Sequence, residues 1–315
     1  MPDPTPKQLS LALFAPMVLA RDDLLRGGMT TRQITSAVRA GRLIRLRRDR
    51  YAHPDVDAKV ADAARIGGRI TCLSLLQLLG IFVLKVSTVH VQVSPHSSRL
   101  GRPKTSEPHL HWSQEPECRH LHATSLRTAI RHSVRCQPPR AAVATLDSLV
   151  HHALITLDQL DELFRELPPR FQTLVRLVDA SAESGPETFV RLMLRSLGVS
   201  FETQVFIEGV GRVDFVVDGW LIIECDSKEF HEGWAKQKQD RGRDLAAARL
   251  GYVTVRPLAT DILHRTHETQ QALREVIAAM GARFAPDVRS HLRRNRSGGV
   301  GDAVTGAGSA FHPEL

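Results

Sequence analysis

The chain has little cysteine, no long hydrophobic run, no repeat and no excess of acidic charge. Only Cys72, Cys118, Cys136 and Cys225 occur in 315 residues. None forms a CxxC pair, which argues against a disulfide framework and suits a reducing cytoplasm. The longest apolar patch near the start, Leu9 to Ala20, is broken by Pro16 and followed by acidic residues. It is too short to span a bilayer and lacks the basic flank of a signal peptide. A cytoplasmic location with no membrane partner is therefore expected. Lys and Arg total 42 against 34 Asp and Glu, a formal net charge of +8, with a pI of about 9.8. That excess points to a polyanionic partner, most simply nucleic acid. The 42% apolar content is ordinary for a globular protein, and the length allows two or three domains.

Punctuation divides the chain into residues 1–54, 55–168, 169–284 and a tail, 285–315. In the first segment, helices are expected over Pro6 to Leu13, Arg21 to Arg26, and from a Thr30 or Thr31 cap to Ala40. Ile34 and Val38 face a core. RLIRLRRDRYAHP alternates Arg with Leu or Ile, as a half-buried hairpin does. Together these describe a winged helix-turn-helix. The middle segment reads as α+β, with an apolar helix at ITCLSLLQLLGIFVL and strands at VHVQVS and HLHW. A basic loop, PHSSRLGRPK, lies between those strands. Helices near Ala141 to Leu154 and Leu157 to Glu166 complete it. The third segment reads as helix, three strands, polar helix, strand, and one final helix from Asp261 to Met280. The tail is rich in Arg, Gly and Ser and is expected to be disordered. The fold class is mixed α/β.

The most informative stretch is RVDFVVDGWLIIECDSKEFH, residues 212–231. Apolar strands have no packing need for Asp214, Glu224 and Asp226 at their ends. Carboxylates in such surroundings are costly unless paired or bound to a cation. A two-residue turn at Asp218-Gly219 would put Asp214 and Glu224 on opposite faces. A three-residue connection through Trp220 pairs Val217 with Leu221 and sets Asp214 against Glu224. The second register is the one that makes a metal site. Asp214, Glu224 and Asp226 could then hold Mg²⁺, with Mn²⁺ as a substitute. Lys228 could orient water, and His231 could act as general base or acid. Cys225 falls on the apolar face and reads as packing. Arg243 could clamp a phosphate or pair with neighbours on its own helix.

Residues Glu187 to about Leu263 resemble the Vsr-like (very-short-patch-repair-like) endonuclease domains of the PD-(D/E)XK superfamily. The resemblance is carried by PETFVRLML, Gln204, RVDF, IIECDSKEFH, KQDRGRDLAAARLGY and VTVRPL. It implies a restriction-endonuclease-like mixed sheet flanked by helices, Mg²⁺ dependence and DNA strand cleavage. By position, Asp214 and Glu224 match the metal-binding acids, Glu187 the auxiliary acid and His231 the family's histidine. The motif's lysine position holds Asp226, so either Lys228 or His231 completes the site. Double-strand cutting by one such site would favour a homodimer.

Residues 21 to 53 resemble the N-terminal domain of AbiEi-type antitoxins, in "helix, Gly turn, helix, AGRLIRLRRDRYA". That resemblance implies DNA binding and a toxin or defence-system partner. Arg32, Gln33, Ser36 and Arg39 would face the major groove. Arg42, Arg45, Arg47, Arg48 and Arg50 would reach phosphates or the minor groove. His109, His111, Cys118, His120 and His122 could supply zinc ligands on paper. Alternating histidines on an exposed strand give the same string without a fixed finger spacing, so structural zinc is not expected. The leading expectation is a DNA endonuclease. The rival is a non-enzymatic DNA-binding regulator with an inactive nuclease-like domain.

Overall fold

The computed structural model describes residue 5 and residues 17–105, 107–114, 120–226 and 234–281, with side chains from 238 onward in the last span. The chain is mixed α/β, with twelve helices and three small sheets among the described residues. It divides into two compact units, 1–176 and 177–314. The helix Pro169–Val175 falls in the first unit. No helix among the described residues is long and apolar enough to cross a membrane. The expected helix over Pro6 to Leu13 and the tail from 285 lie outside the described residues.

The first unit begins with β1 (Val18–Ala20), α1 (Arg21–Arg26), α2 (Thr31–Arg39), β2 (Ile44–Arg47) and β3 (Arg50–Ala52). Thr30 caps α2 through a reciprocal box with Gln33, satisfying amide donors the helix leaves open. β1, β3 and β2 form one antiparallel sheet in that order. Leu24, Ile34, Ala37, Leu43 and Tyr51 make the buried core, with Val38 partly buried against it. Asp49 supplies the left-handed φ of 57° that closes the β2–β3 turn.

The same unit continues with α3 (Ala58–Ile66), β4 (Arg69–Ile70), α4 (Cys72–Leu78), β5 (His90–Val93) and β6 (His109–Trp112). β4 runs antiparallel to β5, and β5 parallel to β6. α5 (Leu126–Ser133), α6 (Pro139–His151), α7 (Leu157–Arg165) and α8 (Pro169–Val175) follow. Asp62 on α3 is fully buried and accepts from Arg65, the amides of Lys104 and Thr105, and the Thr105 hydroxyl. One saturated carboxylate thus pins the end of the basic loop to the helix.

The second unit starts with α9 (Gly185–Leu197), capped by Ser184 and ended by Gly198 at φ 69°. β7 (Phe201–Ile207), β8 (Gly211–Val217), β9 (Leu221–Ile223) and β10 (Val253–Val255) form a mixed sheet ordered β10-β9-β8-β7. β9 and β10 are parallel, joined through α10 (Trp234–Arg249). Val213, Phe215, Val216, Val217, Leu221, Ile222 and Ile223 are all buried, so residues of both parities along β8 and β9 are covered. The single terminal helix expected over 261–280 is two, α11 (Ala259–His264) and α12 (Thr266–Gly281). Arg265, at φ −118° and ψ 41°, leaves the helical region between them.

Candidate active site

The β8–β9 hairpin fixes the register of the carboxylates. Val217 pairs with Leu221, Val216 with Ile222 and Phe215 with Ile223. Asp218 and Gly219 both take positive φ, 49° and 81°, and the Trp220 amide donates to Val217 O at 3.1 Å. The chain therefore makes a tight I′-like turn and then spends Trp220 as an extra residue before pairing resumes. Continued one step outward, this register sets Asp214 against Glu224. The Cys225 amide donates to Asp214 Oδ2 at 2.8 Å, tying the two strands at that level.

Asp214 is held well above the ordinary carboxylate range, at about 6. Burial is the main cause, and the negative charges of Glu187 and Glu183 add to it, against the lowering effect of the Cys225 amide. Glu224 is also raised, by burial first and by Asp214, against the pull of Arg256 and Arg243. Its Oε1 accepts from Arg243 Nη2 at 3.0 Å, and its Oε2 accepts from Arg256 Nη1. Arg256 also grips Asp244 through Nε at 3.1 Å and Nη2 at 2.7 Å. Arg243 on α10 donates to the carbonyls of Val210 at 3.0 Å and Arg212 at 2.5 Å. Rather than pairing along its own helix, Arg243 reaches across to the hairpin and the acid.

Glu187 enters from the first turn of α9. Its carboxylate accepts from the Ser184 hydroxyl at 2.7 Å, the Glu183 amide at 2.9 Å and Gln204 Nε2 at 2.9 Å. Gln204 lies on β7 opposite Asp214, in the gap between the Thr203↔Phe215 and Val205↔Val213 pairs. Its φ is 51°, a left-handed conformation inside a strand. Its Oε1 is buried with no hydrogen-bond partner among the described residues. This left-handed glutamine, with its orphaned buried acceptor, thus stands opposite the raised carboxyl of Asp214.

One sequence expectation changes here. β9 ends at Ile223, so Asp226 does not continue the strand; it makes an isolated parallel bridge to Leu258 instead. Cys225 is partly exposed as a residue, but its thiol is buried. Its thiol is pushed well above the usual range by burial, with Asp214, Glu187 and Glu224 adding their charge. Lys228 and His231 lie outside the described residues. Arg256 joins the site by bridging Glu224 and Asp244.

In the first unit, Arg32, Gln33, Ser36, Arg39, Arg42, Arg45 and Arg48 are exposed. Gln33 is committed to the cap of α2. Arg47 is not directed to solvent: it donates to Ile66 O at 3.1 Å and Arg99 O at 3.0 Å. A register shift between Arg45 and Arg47 accompanies that turn inward. Arg50, half-buried, donates to Asp49 O at 2.9 Å. Arg47, Arg48, Arg50 and Arg69 line one basic cleft.

The expected histidine string does not assemble as written. Of its members, His111 alone joins a convergent group, with Cys72, His90 and Cys136. His120 and His122 pack edge-on against each other, and Cys118 lies outside the described residues. Sequence reasoning missed this group because its members are scattered over 65 residues with no short spacing.

Compared with known proteins, the chain matches no family model, and no curated protein matches it either.

Proposed function

We propose that the chain is a Mg²⁺-dependent DNA endonuclease. In this reading the second unit is a restriction-endonuclease-like nuclease of Vsr-like type, and the first unit starts with a DNA-binding winged helix. The observation that supports it is the β8–β9 register, Val217↔Leu221 to Phe215↔Ile223, which continued one step outward would set Asp214 against Glu224. The donor set suits a hard divalent cation: two carboxylates with raised affinity for a proton, and the buried, unpartnered Gln204 Oε1. Asp214, Glu224 and Gln204 would hold the ion, with Asp226 close by in sequence. Bound there, Mg²⁺ would supply a Lewis acid for the scissile phosphate and acidify a water.

The chain's own residues set up the rest. Glu187 positions Gln204 and is itself held by Ser184 and Glu183. Arg243 and Arg256 orient Glu224 and keep cationic groups where a phosphate would arrive. The exposed arginines of α2 and the β2–β3 hairpin would neutralise DNA phosphates. Lys228 or His231 would serve as the third catalytic group.

One observation favours a second reading, a DNA-binding regulator that does not cut. Both oxygens of Glu224 are already taken by guanidinium groups. Supercoiled plasmid with Mg²⁺ or Mn²⁺, beside Asp214→Ala and Glu224→Ala, separates the two. Relaxed or linear product from wild type alone supports the nuclease. Retarded but uncut plasmid across divalent ions and substrates supports the regulator.

A further inference from the structure

The first unit contains a group of nitrogen and sulfur atoms that the nuclease reading does not use. Cys72, His90, His111 and Cys136 each present a ligand atom, all within 4.8 Å of one another. His90 Nδ1 lies 3.1 Å from His111 Nε2. Cys136 Sγ lies 3.9 Å from His111 Nε2. A tetrahedral site with bonds of about 2.0–2.3 Å has edges of roughly 3.3–3.8 Å. These two separations fall on either side of that range, and all six lie within 4.8 Å.

The backbone brings these residues together by design of the fold. Cys72 opens α4, and Cys136 sits in the turn after α5, its amide donating to Ser133 O at 3.0 Å. His90 and His111 stand on adjacent parallel strands. The pairs His90↔His109 and Gln92↔His111 put both on one face. The Thr71 amide donates to His90 O at 3.1 Å, holding Cys72 next to His90. Cys72 takes a φ of 55°, a left-handed conformation costly for a side chain with a Cβ. Such strain persists where the surroundings require a particular side-chain position.

The surroundings fit a metal better than an ordinary core. Cys72 and His90 are buried, at 0% and 7% exposure, and His111 and Cys136 partly so. His132 stacks on His111 with ring centroids 4.3 Å apart and is anchored by Thr71 Oγ1 at 3.0 Å from its Nδ1. His109 flanks the opposite side, its Nε2 3.6 Å from Cys136 Sγ. Two thiols and two imidazoles together make a complete borderline-soft ligand set.

We propose that Cys72, His90, His111 and Cys136 form a structural zinc site in the first unit. Four protein ligands fill the coordination sphere and leave no open position for chemistry, so the ion acts as a staple. It joins α4, both strands and the turn after α5 across residues 72 to 136. His109 and His132 pack around the centre without ligating.

The test uses the full chain without a histidine tag, purified from zinc-supplemented medium, with metal content measured by mass spectrometry. About one zinc per chain is expected in wild type, in Cys225→Ser and in His109→Ala. Cys136→Ser and His111→Gln are expected to retain less than about one fifth of that. Cobalt-exchanged wild type should show thiolate-to-metal charge transfer and tetrahedral visible bands, which keeps the proposal testable if a variant does not fold. Wild type without zinc and without the cobalt signature overturns the site. Full zinc retention in Cys136→Ser, or loss in His109→Ala with retention in His111→Gln, overturns the ligand assignment.

Discussion

The amide of Cys225 donates to Asp214 Oδ2 at 2.8 Å, so the two strands of the acidic hairpin are joined through a carboxylate. Asp214 thus has one oxygen committed to the backbone that carries Glu224. The bond favours the ionised form, but burial and the neighbouring acids outweigh it and raise the carboxyl to about 6.

Asp214 costs stability in metal-free protein at neutral pH. The folded chain keeps this proton up to about pH 6, whereas an aspartate free in water loses it near 3.8. Stability from this group is therefore full below the lower value and falls as pH rises to the upper one. Asp214→Asn should unfold later than wild type at pH 7.5 in EDTA, by up to about 3 kcal/mol. At pH 3.5 the difference should vanish. Adding Mg²⁺ should raise the unfolding midpoint of wild type and leave that of Asp214→Asn unchanged. Thermal scans at the two pH values, with and without Mg²⁺, check all three outcomes.

Glu224 depends on its two arginines. Its side chain is 12% exposed, and Arg256 and Arg243 are 21% and 28% exposed. Arg256→Ala would leave a largely buried carboxylate with one partner and release Asp244 as well. A loss of about 2–4 kcal/mol is expected from urea unfolding. Glu224→Gln in the same background should restore part of it, since no buried charge is then stranded.

The basic hairpin splits into two kinds of arginine. Arg45 and Arg48 are exposed, while Arg47 is spent on the carbonyls of Ile66 and Arg99. Arg48→Ala should weaken DNA binding uniformly across sequences and lower the log–log salt slope by about 1. Arg47→Ala should lower the unfolding midpoint instead, with little change in that slope. Binding titrations at several salt concentrations, beside thermal scans, separate the two.

Asp218 pays for the turn that sets the register. At φ 49° it occupies a conformation that glycine adopts freely. Asp218→Gly should be neutral or slightly stabilising. Asp218→Val should cost about 1–2 kcal/mol, because a β-branched side chain resists that φ. Denaturant unfolding of both variants is the check.

Parts of this were legible in the chain and parts were not. The apolar runs in RVDFVV and WLII mark two strands, and the requirement that Asp214 and Glu224 share a face picks the connection through Trp220. Local capping was readable too: Thr30 with Gln33 three residues on is a box in sequence and in space. Long-range partners were not. Nothing near Arg256 in sequence announces that it bridges Glu224 and Asp244, because that pairing depends on β10 lying beside β9. Arg47 looked like its neighbours until the bulge turned it inward. The four residues of the proposed zinc site come from the start of one helix, two strands and the turn after another helix, so no short spacing encodes them. Strand β9 also stopped earlier than its apolar pattern implied, which left Asp226 in a bridge to Leu258.

The central claim is that Asp214 and Glu224 form a cation-dependent cleavage site. The most direct measurement is nicking of supercoiled plasmid by wild type, Asp214→Asn and Glu224→Gln, each with Mg²⁺ and with EDTA. The account predicts product from wild type with Mg²⁺, and a loss of at least about a hundredfold in either variant and in EDTA. Equal nicking by wild type and Asp214→Asn, or no cleavage by wild type with Mg²⁺ or Mn²⁺ on any DNA form tested, would contradict it.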